Sequence, residues 1–283
     1  MSSIYIPSFS EISAVAQSRG ADSRAPGLWR GLVGAWPLQE VGGDKAFDVS
    51  GYHNHGTLTN MDPATDRMVG SVGRFVRLTI ASYKYINVSA ACITATPLTL
   101  SCWAQAQNVT ANHTLLGIFK PGGVDDSHTN GFYLSLAGEE AGDYAMAITM
   151  AANSWAIANS SGSFLAARWY HITGVFSSAV LRTCYLNGVA GIANTASKTP
   201  TGLSATYMGR YQAWNSSIYS DCDITNARIW NRVLLPSEIR SLYTNPWGMY
   251  TLRRRVHVRG AEVGTTIRWP WQLRRHRRMA GAR

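Results

Sequence analysis

Charged residues are scarce in this chain, at 15% of 283 residues, whereas hydrophobic residues make up 46%. Disordered proteins have the opposite balance, because they carry too little apolar surface to bury. The composition therefore excludes a largely disordered protein. It predicts an ordered chain that is long enough for one large domain with extensions.

Acidic residues are almost missing from the C-terminal segment. Residues 245–283 contain ten arginines and a single acid, Glu262, whereas basic and acidic residues nearly balance in residues 1–244. The net charge of +10 therefore describes a basic tail and not the surface of a domain.

Membrane, export and zinc signals are also absent from the sequence. It has no run of about 18 apolar residues, so no membrane contact is expected. The N-terminus lacks the basic and apolar segments of a secretory signal. The cysteines show no C-x-x-C spacing, which argues against a zinc site and favours reduced, mostly buried thiols.

Short runs of β-forming residues dominate the chain between residues 32 and 232, separated by Gly-, Asn-, Asp- and Ser-rich turns. Residues 97–104 mostly alternate between apolar and polar, which predicts one inward face and one face carrying Thr99, Ser101 and Trp103. Asn187-Gly188 is a tight hairpin-turn signal. Many strands without long helices indicate a sandwich or a barrel.

Two short helices are predicted outside this β region. Residues 8–11, Ser-Phe-Ser-Glu, form a capping box that begins a helix which Gly20 can end. This helix has too little apolar surface to stand alone, so it must dock on its own sandwich or on a partner. A second helix begins at Pro236 and closes the domain.

Six short motifs follow one another between residues 31 and 243. They lie at residues 31–38, 48–58, 98–103, 169–176, 185–188 and 228–234. In this order they resemble the laminin-G-like branch of the concanavalin A-like lectin/glucanase superfamily. The resemblance implies an all-β, two-sheet antiparallel jelly-roll sandwich over residues 31–244. A helical arm over residues 1–30 precedes it, and an Arg/Trp-rich docking tail over residues 245–283 follows it.

A second resemblance concerns residues 242–250, Leu-Tyr-Thr-Asn-Pro-Trp-Gly-Met-Tyr. This segment is similar to the C-terminal ends of laminin-G-like proteins encoded by tailed phages and prophages. It implies a non-enzymatic structural or adhesion protein of a virion, as a capsid decoration or a tail or fibre component, made in the host cytoplasm. The implied partners are other virion subunits, copies of this chain and host-surface glycans.

Two alternative functions are a free carbohydrate-binding lectin and a glycoside hydrolase. Hydrolases need two suitably spaced carboxylates, which on a strand means acids two or four residues apart. Asp221 and Asp223 are the nearest match, with no Glu beside them. Neither a phosphate-binding loop nor a nucleophile elbow is present. The sequence therefore predicts no enzymatic activity.

A structural calcium ion is the one cofactor that the family resemblance suggests. Asp48 matches one ligand position, and Asp223 lies near a second but out of register, where Thr225-Asn226 replaces the usual acid pair. Calcium needs six to eight oxygen ligands. The alternative is that Asp48 caps its own turn.

Two polar loops are candidates for glycan binding, because a sugar site calls for exposed aromatic side chains beside polar ones. The candidate residues are Trp214, Tyr211 and Asn215 in one loop and Asp125, Asp126, His128 and Asn130 in the other. The alternative is that these aromatic residues cover a core edge or a subunit contact.

The tail is predicted to dock on another virion subunit, because Arg and Trp are favoured contact residues. The candidate contacts are Trp247, Arg253, Arg254, Arg255, Trp269, Trp271, Arg274 and Arg275. Binding to a polyanion such as nucleic acid ranks second, and a solvated end ranks third.

Overall fold

The structure, a computed structural model, describes residues 5–121, 130–138, 142–212 and 217–252. These residues form mostly β-structure, and the strands in chain order are β1 (Leu32–Trp36), β2 (Lys45–Ala46), β3 (Gly56–Thr59), β4 (Arg67–Gly70), β5 (Gly73–Leu78), β6 (Tyr85–Val88), β7 (Leu98–Ala106), β8 (Asn112–Phe119), β9 (Gly131–Ala137), β10 (Tyr144–Ala151), β11 (Ser154–Ser163), β12 (Tyr170–Ser178), β13 (Leu181–Leu186), β14 (Val189–Ala190), β15 (Ala205–Met208), β16 (Arg210–Gln212), β17 (Ser217–Tyr219) and β18 (Cys222–Trp230).

Two antiparallel sheets stack face to face, which confirms the predicted sandwich. The first sheet has the order β14-β13-β12-β7-β18-β5-β4, with β1 also paired to β18. The second has the order β11-β10-β9-β8-β15-β6-β3-β2, and β16 and β17 form a separate hairpin. Neighbouring strands in these orders are often distant in sequence, as is typical of a two-sheet jelly roll.

The main core lies between the sheets and follows the two-residue period of the strands. In β7, Leu98, Leu100 and Cys102 are fully buried in this core. The residues between them face the other way: Ser101 Oγ lies 2.8 Å from His171 Nε2 on the outer side. The predicted alternation is therefore confirmed. The predicted tight turn is present as well, with positive φ at Asn187 and Gly188.

The described ranges contain three α-helices, α1 (Phe9–Gln17) before the first strand, α2 (Pro63–Asp66) between β3 and β4, and α3 (Pro236–Thr244) after the last strand, together with 3-10 helices at Pro26–Trp29 and Gly248–Tyr250. The predicted capping box begins α1, where Ser8 accepts from the Glu11 amide and the Glu11 carboxylate accepts from the Ser8 amide at 2.8 Å. Pro236 begins α3 as expected. Within the described ranges, no helix is long and apolar enough to cross a membrane.

Both ends of the described domain cover the outer face of the first sheet. We call residues 5–30 and 234–252 together the terminal layer. Its apolar side chains form a second core with those of the sheet; the fully or almost fully buried members include Ile12, Trp230, Ile239, Leu242, Trp247, Met249 and Tyr250. The N-terminal helix therefore docks on its own sandwich, the first of the two options that the sequence left open.

Hydrogen bonds fasten the two ends to each other. Ser23 Oγ donates to the Met249 carbonyl at 2.7 Å, and the Trp29 indole donates to the same carbonyl at 2.9 Å. Ser23 also forms an isolated antiparallel bridge with Leu252. Residues 245–252, assigned to the tail from sequence, therefore continue the domain.

The structure corrects the role predicted for Trp247. This side chain is only 2% exposed, and its ring centroid lies 6.1 Å from that of Tyr250. An indole held in this way covers the first sheet and cannot reach a partner. The remaining predicted tail contacts, from Arg253 to Arg275, lie outside the described residues.

Replacing Ile12 by Ala should lower the free energy of unfolding by about 2–4 kcal/mol, because it leaves a cavity in the apolar core of the terminal layer. Ile192 is the matched control, since it is 84% exposed, and Ile192→Ala should change stability by less than about 0.5 kcal/mol. Urea unfolding measures both. Equal effects of the two substitutions would show that α1 does not pack on the sandwich.

The buried imidazole of His171 should make the fold sensitive to acid. Burial, together with the charge of Arg228, lowers the pKa of His171 from 6.5 to about 3. Below pH 6.5 the unfolded chain therefore binds a proton that the folded chain does not. From this group alone, the free energy of unfolding should therefore fall by about 1.4 kcal/mol for each unit by which the pH is lowered between about 6 and the folded-state pKa of about 3. In the folded protein, the NMR resonance of the His171 ring should not titrate between pH 8 and 4. A midpoint near 6.5 would contradict the burial.

Candidate functional site

The outer face of the second sheet carries a cluster of aromatic and methionine side chains. Its buried members include Phe119, Tyr133, Met146, Ile148, Met150 and Tyr207, and Tyr211 packs against them. They occupy the strand positions that alternate with the main core, so they point away from it. Unlike the first sheet, this sheet is not covered by the terminal layer.

A groove of about 340 Å³ crosses this face. Its walls combine aromatic side chains with amide and hydroxyl groups, namely Tyr133, Trp155 and Tyr211 with Asn112, Thr114 and Ser135. An apolar cavity with a few well-placed polar groups is typical of small-molecule sites. This groove is therefore the candidate functional site.

Cross-strand pairing explains how Tyr133 comes to line the groove. Tyr133 lies opposite Gly117 on β8 and opposite Ile148 on β10. A Cβ atom at Gly117 would lie 2.5 Å from the Tyr133 Cβ and 2.5 Å from the Phe119 ring. A glycine at position 117 is therefore needed for the Phe119 and Tyr133 rings to pack with their centroids 5.4 Å apart.

The hairpin of β16 and β17 brings Tyr211 over the sheet. Its ring stacks on Tyr133, with centroids 5.5 Å apart and planes 29° apart, and its hydroxyl lies 3.3 Å from the Met150 Sδ. The Arg210 guanidinium lies 4.8 Å from the Tyr85 ring centroid and 4.9 Å from that of Tyr207. Such cation–π contacts hold the base of the hairpin against the sheet.

Of the groove residues that the sequence interpretation did not predict, which also include Tyr133, Asn112, Thr114 and Ser135, Trp155 is the most exposed aromatic residue. It lies on β11, at the edge of the sheet, and is 51% exposed. Burial raises the pKa of Tyr133, as does nearby Tyr211, while a hydrogen bond with the Trp155 side chain acts in the opposite direction. A signal was present in the sequence. The small residues Ala156 and Ala158 share one face of the strand and fit a closely packed core, and Trp155 lies on the opposite, outward face because side chains alternate along a strand.

Tyr211 is the member of the first predicted glycan loop that the structure brings to the groove. Trp214 and Asn215 lie outside the described residues, between β16 and β17. The predicted loop therefore belongs to the hairpin that borders the groove, and its role in glycan binding stays a prediction. The groove it borders also draws on β8, β9 and β11, which are distant in sequence.

The second predicted glycan loop is described only at its end. Asp125, Asp126 and His128 lie outside the described residues. Asn130 is buried, with 6% of its surface exposed, and its Oδ1 accepts from the Thr201 amide at 3.2 Å. Its side chain thus joins two parts of the backbone. The structure corrects its predicted role as a sugar contact.

Asp48 holds together the loop between β2 and β3. Its Oδ1 accepts from the amides of Ala35 and Ser50, and its Oδ2 accepts from the Ser50 hydroxyl and the Asn54 amide, all at 2.8–2.9 Å. This is the turn-capping arrangement that the sequence left as the alternative to calcium binding.

Asp223 is engaged elsewhere, on β18. Its two oxygens accept from Nε and Nη2 of Arg77 on β5, each at 2.8 Å. The two candidate calcium ligands therefore have separate sets of partners. Across the described ranges, no group of three or more His, Cys, Asp or Glu residues could hold a metal ion. A structural calcium ion stays a prediction.

Comparisons with known proteins agree with this architecture. The profile of a family described as the concanavalin A-like lectin/glucanases superfamily matches residues 81–240. No curated protein matches the sequence significantly.

Several solved structures share the fold at low identity. Domain 4 of a GH43 extracellular arabinanase from Geobacillus stearothermophilus, in complex with arabinotriose, has a TM-score of 0.56 and 18% identity over 75% of this chain and 98% of that domain. Trypanosoma rangeli sialidase in complex with sialic acid has a TM-score of 0.56 and 17% identity over 78% of this chain and 34% of that one. A structure of botulinum neurotoxin type C, a toxin whose cell entry depends on interaction with two ganglioside molecules, has a TM-score of 0.56 and 12% identity over 78% of this chain and 52% of that one.

These matches correct the prediction that the chain has no enzymatic role. The architecture occurs in sialidases and in a domain of an arabinanase, so absence of enzymatic activity does not follow from the fold. At these identities the likeness establishes the fold alone.

Asp48→Asn should lower the free energy of unfolding by about 1–3 kcal/mol. The substitution replaces one carboxylate oxygen with an NH₂ group, so the backbone and hydroxyl donors that point at that oxygen lose their acceptor. Asp44→Asn is the matched control, since Asp44 is exposed in the neighbouring loop. Thermal unfolding in EDTA measures both without bound calcium. A fully stable Asp48→Asn variant in EDTA would contradict the turn-capping role.

Proposed function

Because the chain belongs to the concanavalin A-like lectin/glucanase superfamily, we propose that it binds carbohydrate through the groove on the outer face of its second sheet. The observation that carries this proposal is the position of Trp155, half exposed beside the stacked Tyr133–Tyr211 pair. The groove does not include the Asp48 loop, so the proposal does not depend on calcium.

A sugar ring has an apolar face of C–H groups and an edge of hydroxyl groups, and the groove offers a counterpart to each. Aromatic rings provide flat apolar surface with a polar edge, and Trp155 is the ring with the most exposed area in the groove. Asn112 and Thr114 provide amide and hydroxyl groups on β8. The Ser135 hydroxyl, which donates to the His113 carbonyl at 3.0 Å, adds a polar group to the floor of the groove.

Packing beneath the groove favours a site formed before ligand arrives. Tyr133 is held by Phe119, Tyr211 and Trp155, and the hairpin that carries Tyr211 is held by Arg210. A rigid site loses less side-chain entropy on binding. The arabinotriose complex of the arabinanase domain and the ganglioside dependence of the neurotoxin support the same class of ligand.

The virion setting stays a prediction that rests on the sequence similarity of residues 242–250. A virion-displayed protein and a free lectin would both use the proposed groove and would differ in their partners. Docking on other subunits through the basic tail also stays a prediction, for residues 253–283 alone.

Trp155→Ala should weaken binding of the best oligosaccharide on a glycan array by at least about tenfold, because truncating a central aromatic contact typically costs about 1–2 kcal/mol or more. Tyr52→Ala is the matched control: Tyr52 is 61% exposed and does not line the groove, so affinity should not change. Tyr211→Ala should weaken binding as well. Calorimetric titration measures all three.

Two results would contradict the proposal. One is a wild-type protein that binds no glycan on the array. The other is equal loss of affinity in Trp155→Ala and Tyr52→Ala, with unfolding curves that match the wild type, because binding would then lie outside the groove.

A further inference from the structure

Alkyl side chains form a large part of the groove on the second sheet. Four of its ten lining residues are of this kind, namely Ile148, Ile157, Ile218 and the thioether Met146. An ordinary hexose carries a hydroxyl or hydroxymethyl group on almost every ring carbon, and alkyl side chains offer these groups no hydrogen bond. This part of the groove therefore suits a ligand that has an apolar substituent.

Strand pairing separates the alkyl side chains from the polar ones. Thr114 on β8 pairs with Ser135 on β9, and Ser135 pairs with Met146 on β10. This row of side chains therefore changes from polar to apolar between β9 and β10, where directly opposed Cβ atoms lie about 4.5–5.5 Å apart. In the neighbouring row, Ile148 on β10 pairs with Ile157 on β11. Hydroxyl groups thus lie on the β8–β9 side of the groove, and alkyl groups lie on the β10–β11 side.

Two of the alkyl side chains are open to a ligand. Ile218 is 47% exposed. It pairs with Tyr211 across the β16–β17 hairpin, so the two side chains lie on the same side of that hairpin. Ile157 is partly exposed on β11 and lies on the same face of the strand as Trp155. Because neither isoleucine is sealed in the core, an atom of a bound sugar can reach either side chain.

We propose that the groove selects a sugar that carries a methyl group, either on the ring, as in a deoxyhexose, or within an acetyl group. This inference rests on the proposed glycan function. Hydroxyl groups of the sugar would face Asn112, Thr114 and Ser135, and the methyl group would contact Ile157 and Ile218. Burial of a methyl group there removes apolar surface from water, whereas a hydroxyl group would lose its bonds to water without gaining a partner.

Matched pairs of sugars test the inference, with NMR titration of the wild-type protein as the readout. L-Fucose and L-galactose differ only in a methyl group that replaces a hydroxymethyl group, and L-rhamnose and L-mannose differ in the same way. N-Acetylglucosamine and glucose differ in an acetamido group that replaces a hydroxyl group. In at least one pair, the methyl-bearing member should bind about tenfold more tightly or better, as is typical of one small group in an apolar pocket. The pair that shows the preference identifies the source of the methyl group.

Ile157→Thr tests the position of the methyl group. Threonine keeps a β-branched side chain suited to a strand and places a hydroxyl group at the alkyl side of the groove. The substitution should lower the ratio of the two affinities about fourfold, the equivalent of roughly 0.8 kcal/mol for one buried methylene group. Ile192→Thr is the matched control, because Ile192 is 84% exposed and does not line the groove. Its affinity ratio should match that of the wild type.

Equal affinity for both members of every pair would overturn the inference, as would a preference for the hydroxyl-bearing members or no saturable binding of any of these sugars. Each of these results comes from wild-type protein, so each stands even if Ile157→Thr fails to fold. The glycan array separates this inference from the proposed function. Glycans bound without a preference for methyl-bearing sugars overturn the inference alone, whereas an array with no bound glycan removes both.

Discussion

The first sheet and the layer that covers it depend on one strand, β18, and on the bulge within it. Its first residues pair with β5, its last residues pair with β1, and β7 lies along its other edge. The pairing shifts between Thr225 and Arg228, where Asn226 adopts a positive φ. A bulge re-aims the side chains that follow it. As a result, Arg228 and Trp230 reach the terminal layer, through hydrogen bonds to the Pro246 and Leu28 carbonyls.

Local signals in the sequence predicted the local structure well. The capping box of α1, the Asn187-Gly188 turn and the alternation of β7 each depend on a few neighbouring residues, and each is present. The six ordered motifs predicted the sandwich itself. The alternation of Trp155 with two alanines was equally local, but its meaning depends on which face of the sheet stays uncovered, and that is set by distant segments.

Burial in tertiary structure explains where the sequence interpretation failed. Asn130 and Trp247 occur in polar or basic stretches that look exposed. Their burial results from contacts that form on folding: Asn130 accepts from the Thr201 amide, and Trp247 packs in the core between the terminal layer and the first sheet. Asp48 and Asp223 were grouped by a family pattern, whereas the structure gives each its own partners. The outer faces of the two sheets differ in the same way. Trp247 is buried where the terminal layer covers the first sheet, whereas Trp155 is half exposed on the uncovered face of the second sheet.

The bridge between Ser23 and Leu252 has a mechanical consequence. Ser23 and Leu252 lie side by side and run in opposite directions, so tension between the two ends of the described domain would load α1 and this bridge before it loads the stacked sheets. The hydrogen bonds to the Met249 carbonyl would break next, and the layer over the first sheet would detach before the stacked sheets separate. Under load, the domain would thus extend in two stages, with the groove face of the second sheet keeping its shape through the first of them.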